Sequence, residues 1–77
     1  MLTPELIELL ARHVHEAWME GRLSEGWKLG PERSDARREH PCLVDYDSLP
    51  ESEKEYDRAT ARKVLEFLES KGYQIHK

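Results

Sequence analysis

Apolar residues recur every three or four positions in the first part of the chain. The residues of this stripe are Leu6, Ile7, Leu10, Ala11, Val14, Ala17 and Trp18. Such spacing places them on one face of a helix, with Trp18 in the core. Thr3 and Pro4 suit a helix cap and first position, and Glu5 suits the positive end of the helix dipole. We therefore predict a helix over residues 4–20, ended by Gly21.

A second helical pattern lies near the end of the chain. Its apolar positions are Ala61, Val64, Leu65 and Leu68. Asp47 or Ser48 is a candidate cap before Pro50, and Gly72 is a natural stop. We predict a helix over residues 50–71. Tyr73 and Ile75 then alternate with polar residues, which indicates a short extended tail.

The segment between these helices, residues 22–48, has no hydrophobic period. Gly26, Gly30, Pro31 and Pro41 interrupt any long helix or central strand. A structureless stretch of this length is uncommon in a compact domain unless it is functional or packed by its own side chains. The expected fold is mainly α: two antiparallel helices braced by a long ordered loop and a short extended C-terminal tail.

Length and composition limit the size of the core. The 77 residues, of which 38% are hydrophobic, are sufficient for one domain, residues 1–77, with little spare stability. A homodimer or a larger parent protein would add buried surface. Either arrangement is a candidate for how the domain is stabilised.

Charge and patterning argue against several classes of protein. The net charge of -4 opposes nucleic-acid binding, which depends on clustered lysine and arginine. No apolar run approaches the roughly 20 residues of a membrane span, and the N-terminus lacks a signal-peptide pattern. Cys42 is the single cysteine, so no internal disulfide can form. We expect a cytoplasmic protein.

The loop contains the best candidates for binding a ligand. Trp27 lies between glycines, where its ring can stack on a base, and such stacking contributes about 1–3 kcal/mol. Arg33, Arg37, Arg38 and His40 follow it, and guanidinium groups suit phosphate. These five residues form the predicted site for an adenine-type nucleotide. The alternatives are that Trp27 fills the core and that the arginines pair with the acidic segment 45–57, Arg33 acting as a strut.

Catalytic and metal-binding signals are weak. His40 and Cys42 are two positions apart, which does not bring a base onto a thiol in an extended segment, and no third group orients them. A packed, hydrogen-bonded His40 is the preferred interpretation. His13 and His15 lie on different faces of a helix, so they do not form a metal pair. We expect no enzyme activity, metal or cofactor.

The order of residues from about Val14 to Tyr73 resembles the repeat domain of ryanodine receptors, which also occurs in bacterial and phage proteins. The matching anchors are Trp18, Gly26, Trp27, Gly30, Arg33, Asp35, His40, Pro41, Leu43, Val44, Tyr46, Leu49, Pro50, Glu53, Lys54, Tyr56, Asp57, Arg58, Gly72 and Tyr73. The resemblance is to a single-copy bacterial or phage type. In the receptors the repeats occur as tandem pairs within a calcium channel, and in bacteria such domains occur beside nucleotide-signalling proteins. The resemblance implies a non-catalytic ligand-binding module that senses a nucleotide or related small molecule; the alternative is a self-pairing interaction or scaffolding module.

Overall fold

A computed structural model describes residues 3–76 and shows a mainly α-helical fold. In chain order the elements are α1 (Pro4–Ser24), β1 (Lys28–Leu29), β2 (Glu39–His40), a 3₁₀ turn (Tyr46–Ser48) and α2 (Glu51–Ser70). The two long helices pack against each other, and the segment between them lies beside both. The predicted pair of helices with a long connecting loop is confirmed. None of the helices in residues 3–76 is long and apolar enough to cross a membrane.

Helix α1 begins as predicted but continues beyond the predicted end. The Thr3 hydroxyl accepts a hydrogen bond from the Leu6 backbone N–H at 3.1 Å. The helix passes through Gly21 and ends at Ser24, so the prediction of a stop at Gly21 is wrong. Gly26 provides the stop instead: its φ is +88°, and the Trp27 N–H bonds back to the Arg22 carbonyl at 3.0 Å. One internal glycine costs only about 1 kcal/mol, so it does not by itself end a helix.

Helix α2 agrees with the predicted bounds to within one residue at each end. Its cap residue is Pro50, which makes no side-chain capping bond. The predicted cap at Asp47 or Ser48 is therefore wrong, because Asp47 binds Arg12 and Ser48 binds Asp45. Gly72, with φ +88°, follows the helix as predicted.

The connecting segment contains two short strands that the sequence pattern did not indicate. Lys28 pairs with Glu39 and Leu29 with His40, in parallel register. Gly30 follows the first strand, and a Cβ placed on it would lie 2.5 Å from the Cβ of Glu39. The close approach of the two chain segments therefore requires a glycine at this position.

The core lies where the two helices meet the segment 42–49. It consists of Ala11, Tyr46, Leu49 and Ala61, with Ile7, Leu10, Cys42 and Val44 packed against it. Leu43 and Leu65 are also buried. Trp18, predicted to be core, is only half-buried. The apolar stripe of α1 therefore leaves the core before Trp18.

Candidate functional site

The predicted arginines use their donors on acceptors of the connecting segment. Arg33 Nε lies 3.0 Å from Asp35 Oδ1, and Arg37 Nε lies 3.2 Å from Glu39 Oε1. Arg38, which has φ +53°, donates from Nη1 to the Glu25 carbonyl at 2.7 Å. These contacts are local to the loop. They hold its shape, and the cation that lies over the Trp27 ring is Arg22.

The expected pairing of loop arginines with the acidic segment 45–57 is wrong for Arg33 and Arg37, which pair within the loop. The described partners of that segment come from the helices: Arg12 binds Asp47, and Arg58 binds Glu51 and Glu55. Arg58 also bridges the helices, since its Nε lies 2.8 Å from Glu8 Oε2.

His40, the fifth predicted residue, does lie in a pocket. The pocket has a volume of about 230 Å³ and is lined by His15, Trp18, His40, Cys42, Leu49, Glu53 and Asp57. Helix α1 supplies the first two of these residues and α2 the last two. The segment between the helices supplies the other three, so all three parts of the fold meet here.

Aromatic rings form one wall of the pocket. The rings of His15 and Trp18 are stacked, with centroids 5.7 Å apart and planes 25° from parallel. The His40 ring meets Trp18 edge-on at 4.9 Å. Trp18 is therefore held between two imidazoles and is partly exposed at the pocket.

His15 has a fixed tautomer. Its Nε2 lies 2.6 Å from the Val44 carbonyl oxygen, which can only accept, so Nε2 carries a proton. Its Nδ1 lies 3.9 Å from Asp57 Oδ2, and the side chain is 4% exposed. The ring thus anchors the segment after Cys42 to α1 while its second nitrogen faces the acidic wall.

His40 is oriented by the backbone that follows it. Its Nδ1 accepts a hydrogen bond from the Cys42 N–H at 3.0 Å, so the proton of the neutral ring is on Nε2. Burial, assisted by the charges of Arg33 and Arg22, lowers the pKa of His40. The predicted packed and hydrogen-bonded histidine is confirmed, and its lowered pKa favours the neutral ring.

Glu53 and Asp57 form the acidic wall of the pocket, one turn apart on α2. Among residues 3–76 neither makes an ion pair with a lysine or arginine, and no hydrogen bond reaches the Glu53 carboxylate. Burial raises the pKa of Asp57; His15 partly opposes that rise and Glu53 adds to it. Two carboxylates therefore face the pocket without a lysine or arginine partner, and Asp57 has only the neighbouring His15 ring.

Cys42 is a poor nucleophile in this setting. Burial raises the pKa of its thiol, and the charges of Glu53 and Asp57 raise it further. The bond from the Cys42 backbone occupies the nearest nitrogen of His40. A thiolate is therefore disfavoured.

Arg22 lies on the Trp18 side of the pocket. Its guanidinium carbon is 5.8 Å from the centre of the Trp18 ring and 4.7 Å from that of Trp27. Unlike Arg12, Arg33, Arg37 and Arg58, it makes no ion pair with a carboxylate of residues 3–76. Trp27 is half-buried and contacts this cation, and it does not line the pocket.

Within residues 3–76, no three histidine, cysteine, aspartate or glutamate side chains are placed to ligate a metal ion.

The sequence analysis missed most of the pocket because it interpreted each of the pocket residues separately. His15, Trp18 and Arg22 follow Ala11 at helical spacing, so the polar continuation of the apolar stripe was the available signal. Glu53 and Asp57 also share a helix face at i, i+4. Their convergence with His40 depends on the path of the loop, which no local pattern encodes.

A comparison with protein families matches residues 3–77 to the RyR domain. The chain belongs to the RyR domain family. The expected resemblance is thereby confirmed over nearly the whole chain. In this RyR domain, the anchors Trp18, His40, Leu49, Glu53 and Asp57 all line the pocket, whereas the anchor Gly30 permits the close contact of the loop segments.

Proposed function

We propose that this RyR domain is a non-catalytic module that binds a nucleotide-like small molecule in the pocket between α1 and α2. The observation that carries the proposal is the pair of carboxylates, Glu53 and Asp57, that line the pocket without a lysine or arginine partner. Half-buried carboxylates gain free energy when N–H donors reach them. A ligand with such donors supplies what the protein itself does not.

The shape and chemistry of the pocket favour a flat heterocycle. Small-molecule sites usually enclose about 300–1,000 Å³, so a pocket of about 230 Å³ admits a base and leaves the rest of a nucleotide outside. Guanine presents its N1–H and its 2-amino group side by side, a pair of donors that suits a carboxylate. Adenine presents one amino group beside an acceptor nitrogen, which a carboxylate repels. The acidic wall therefore favours guanine over the adenine expected from the sequence.

The absence of turnover is part of the proposal and rests on the state of Cys42 and His40. The raised thiol pKa and the backbone hydrogen bond to His40 Nδ1 leave no paired nucleophile and base. Incubation of the domain with a bound nucleotide should return the nucleotide unchanged, as followed by chromatography.

The test is ligand-detected NMR or calorimetry with guanosine, adenosine and inosine at up to millimolar concentration. One buried base and a few polar contacts should give a Kd in about the micromolar to millimolar range. Inosine lacks the 2-amino group and should bind more weakly than guanosine. Equal binding of all three nucleosides, or of none, would contradict the proposal.

Two substitutions locate the ligand. Glu53→Gln and Asp57→Asn should each weaken guanosine binding by about tenfold, because each replaces a charged acceptor by a neutral amide. Glu66→Gln is the matched control, since Glu66 is an exposed carboxylate of α2 outside the pocket. If the control weakens binding as much as the two pocket variants, the ligand is elsewhere.

A self-pairing module is the second candidate, favoured by the outer surface of α2. Tyr56 and Phe67 are 72% and 59% exposed there, an unusual exposure for large aromatic side chains. Sedimentation equilibrium of the domain and of a Tyr56→Ser/Phe67→Ser variant tests this candidate. A monomeric wild-type domain at high concentration would remove it.

A further inference from the structure

We propose that Arg22, held between Trp18 and Trp27, binds the phosphate of the ligand, so that the pocket selects a nucleotide over its nucleoside. This inference rests on the proposed function, because it names the second end of the same ligand.

The first support is the position of the Arg22 guanidinium. Arg22 lies one turn after Trp18 on α1, and its guanidinium carbon is within 6 Å of the ring centres of both tryptophans. Stacking on aromatic faces is a favourable setting for a planar cation, and it leaves the N–H groups at the edge free to donate. The two rings thus hold the cation beside the pocket that Trp18 lines.

The second support is that the N–H groups of Arg22 have no hydrogen-bond acceptor among residues 3–76. The Arg22 side chain makes no hydrogen bond and no ion pair within residues 3–76, although 16 acidic residues are present in the chain. The arginines of the loop, in contrast, use their donors on Asp35, Glu39 and the Glu25 carbonyl. Arg22 is therefore positioned but unpaired, which suits a guanidinium that receives a phosphate oxygen from outside.

The third support is the distribution of charge around the pocket. Arg22 of α1 lies against Trp18 and Trp27, whereas the carboxylates of Glu53 and Asp57 enter the pocket from α2, so the positive and negative groups come from different helices. A ligand with donors at one end and an anion at the other matches this separation, and one with its charges reversed does not. Since the base fills the pocket, its ribose phosphate is the part that extends outside it.

Trp27 takes a different role in this arrangement from the one predicted. It positions Arg22 and does not stack on the base. Trp27→Ala should therefore weaken binding of the monophosphate and leave guanosine binding almost unchanged, a difference that general loss of structure would not produce.

The main test compares guanosine with guanosine 5′-monophosphate by calorimetry at low salt. The monophosphate should bind the wild-type domain about tenfold more tightly, and this advantage should fall as salt is added. Arg22→Gln should abolish the advantage without changing guanosine binding. Arg62→Gln, which removes the same charge from an exposed position on α2, should retain it.

Inorganic phosphate provides a test that does not need the base. At millimolar concentration it should shift the indole N–H signals of both tryptophans in the wild-type NMR spectrum and not in that of Arg22→Gln. Thermal melts establish that each variant is folded, and Arg22→Lys retains the charge if Arg22→Gln is not.

The outcomes separate the two proposals. Guanosine binding that depends on Glu53, with no added affinity for the monophosphate and no phosphate-induced shift, overturns the role of Arg22 alone. Failure of every nucleoside and nucleotide to bind overturns both. Equal losses in Arg22→Gln and Arg62→Gln would mean that net charge, and not the stacked guanidinium, attracts the phosphate.

Discussion

At the residue scale, Asp57 connects binding with stability. The ordinary pKa of an aspartate is 3.8, and burial raises the pKa of Asp57 in the folded protein. Between the pKa values of the unfolded and folded states, the folded protein therefore holds a proton on Asp57 that the unfolded chain has lost. The neutral Asp57 carboxyl makes its full contribution to stability below the pKa that it has in the unfolded chain. This contribution is lost as pH rises through the pKa that it has in the folded protein.

Asp57→Asn should therefore melt a few degrees above the wild-type domain at pH 7, although it weakens ligand binding. The difference in Tm should shrink as pH falls, because the wild-type carboxyl then takes up a proton and the buried charge is lost. Thermal melts from pH 4 to 8 check this, with Glu66→Gln as the control. A variant that is less stable at pH 7 would show that contact with His15 outweighs the burial of charge.

Tyr46 connects the 3₁₀ turn to helix α1. It is 3% exposed, and its hydroxyl donates to Glu8, which Arg58 also binds. Burial and the bond to Glu8 raise the pKa of Tyr46 to about 12. Hydrogen bonds from Arg58 and Tyr46 in turn lower the pKa of Glu8.

Tyr46→Phe should cost about 1 kcal/mol of unfolding free energy, or roughly 4–8 °C in Tm. Tyr56→Phe, at a tyrosine that is 72% exposed, should cost almost nothing. Thermal melts of the two variants under identical conditions make the comparison. Equal effects would mean that the bond to Glu8 contributes no net stability.

At the scale of elements, the helices were predictable and the path between them was not. Thr3, Pro4 and Gly72 are local signals, and each acts in the structure as it does in isolated helices. The end of α1 was misplaced because Gly21 and Gly26 are both candidate stops. Only the backbone bond from Trp27 to Arg22 decides between them.

Alanine substitutions at Gly21 and Gly30 should change the stability of the domain in opposite directions. Gly21 is helical with nothing within 4 Å of an added Cβ, so Gly21→Ala should stabilise the domain by about 0.5–1 kcal/mol. Gly30→Ala should destabilise it by about 1–3 kcal/mol, because its Cβ would meet Glu39 at 2.5 Å. Denaturant titrations measure both. A neutral Gly30→Ala would show that β1 and β2 separate at little cost.

At the scale of the whole molecule, the core is small and depends on few side chains. Leu65 is 5% exposed, whereas Leu68 is half-buried and Val64 is 44% exposed. The sequence placed all three on one apolar stripe, since periodicity gives a face but not the depth at each position. The pocket was beyond sequence reasoning for a related reason: its acids, rings and cation come from separate elements that meet only in the folded chain.

Leu65→Ala should cost about 2–5 kcal/mol, a large share of the stability of a 77-residue domain. Leu68→Ala should cost less, and Val64→Ala should remain within about 0.5 kcal/mol of the wild type. The order of the three Tm values is the measurement. A Leu68 effect as large as that of Leu65 would place the centre of the core nearer the C-terminal end of α2.

Binding and folding are coupled in so small a domain, because the pocket exists only when both helices and the loop are in place. A ligand that binds the folded state alone adds about 2.7 kcal/mol of stability at one hundred times its Kd. Guanosine 5′-monophosphate at that concentration should therefore restore much of the folded population of Leu65→Ala, as measured by thermal melts or circular dichroism. Adding Glu53→Gln to the same chain should remove the rescue at that nucleotide concentration. Rescue that persists in the double variant would mean that the nucleotide stabilises the domain through another surface.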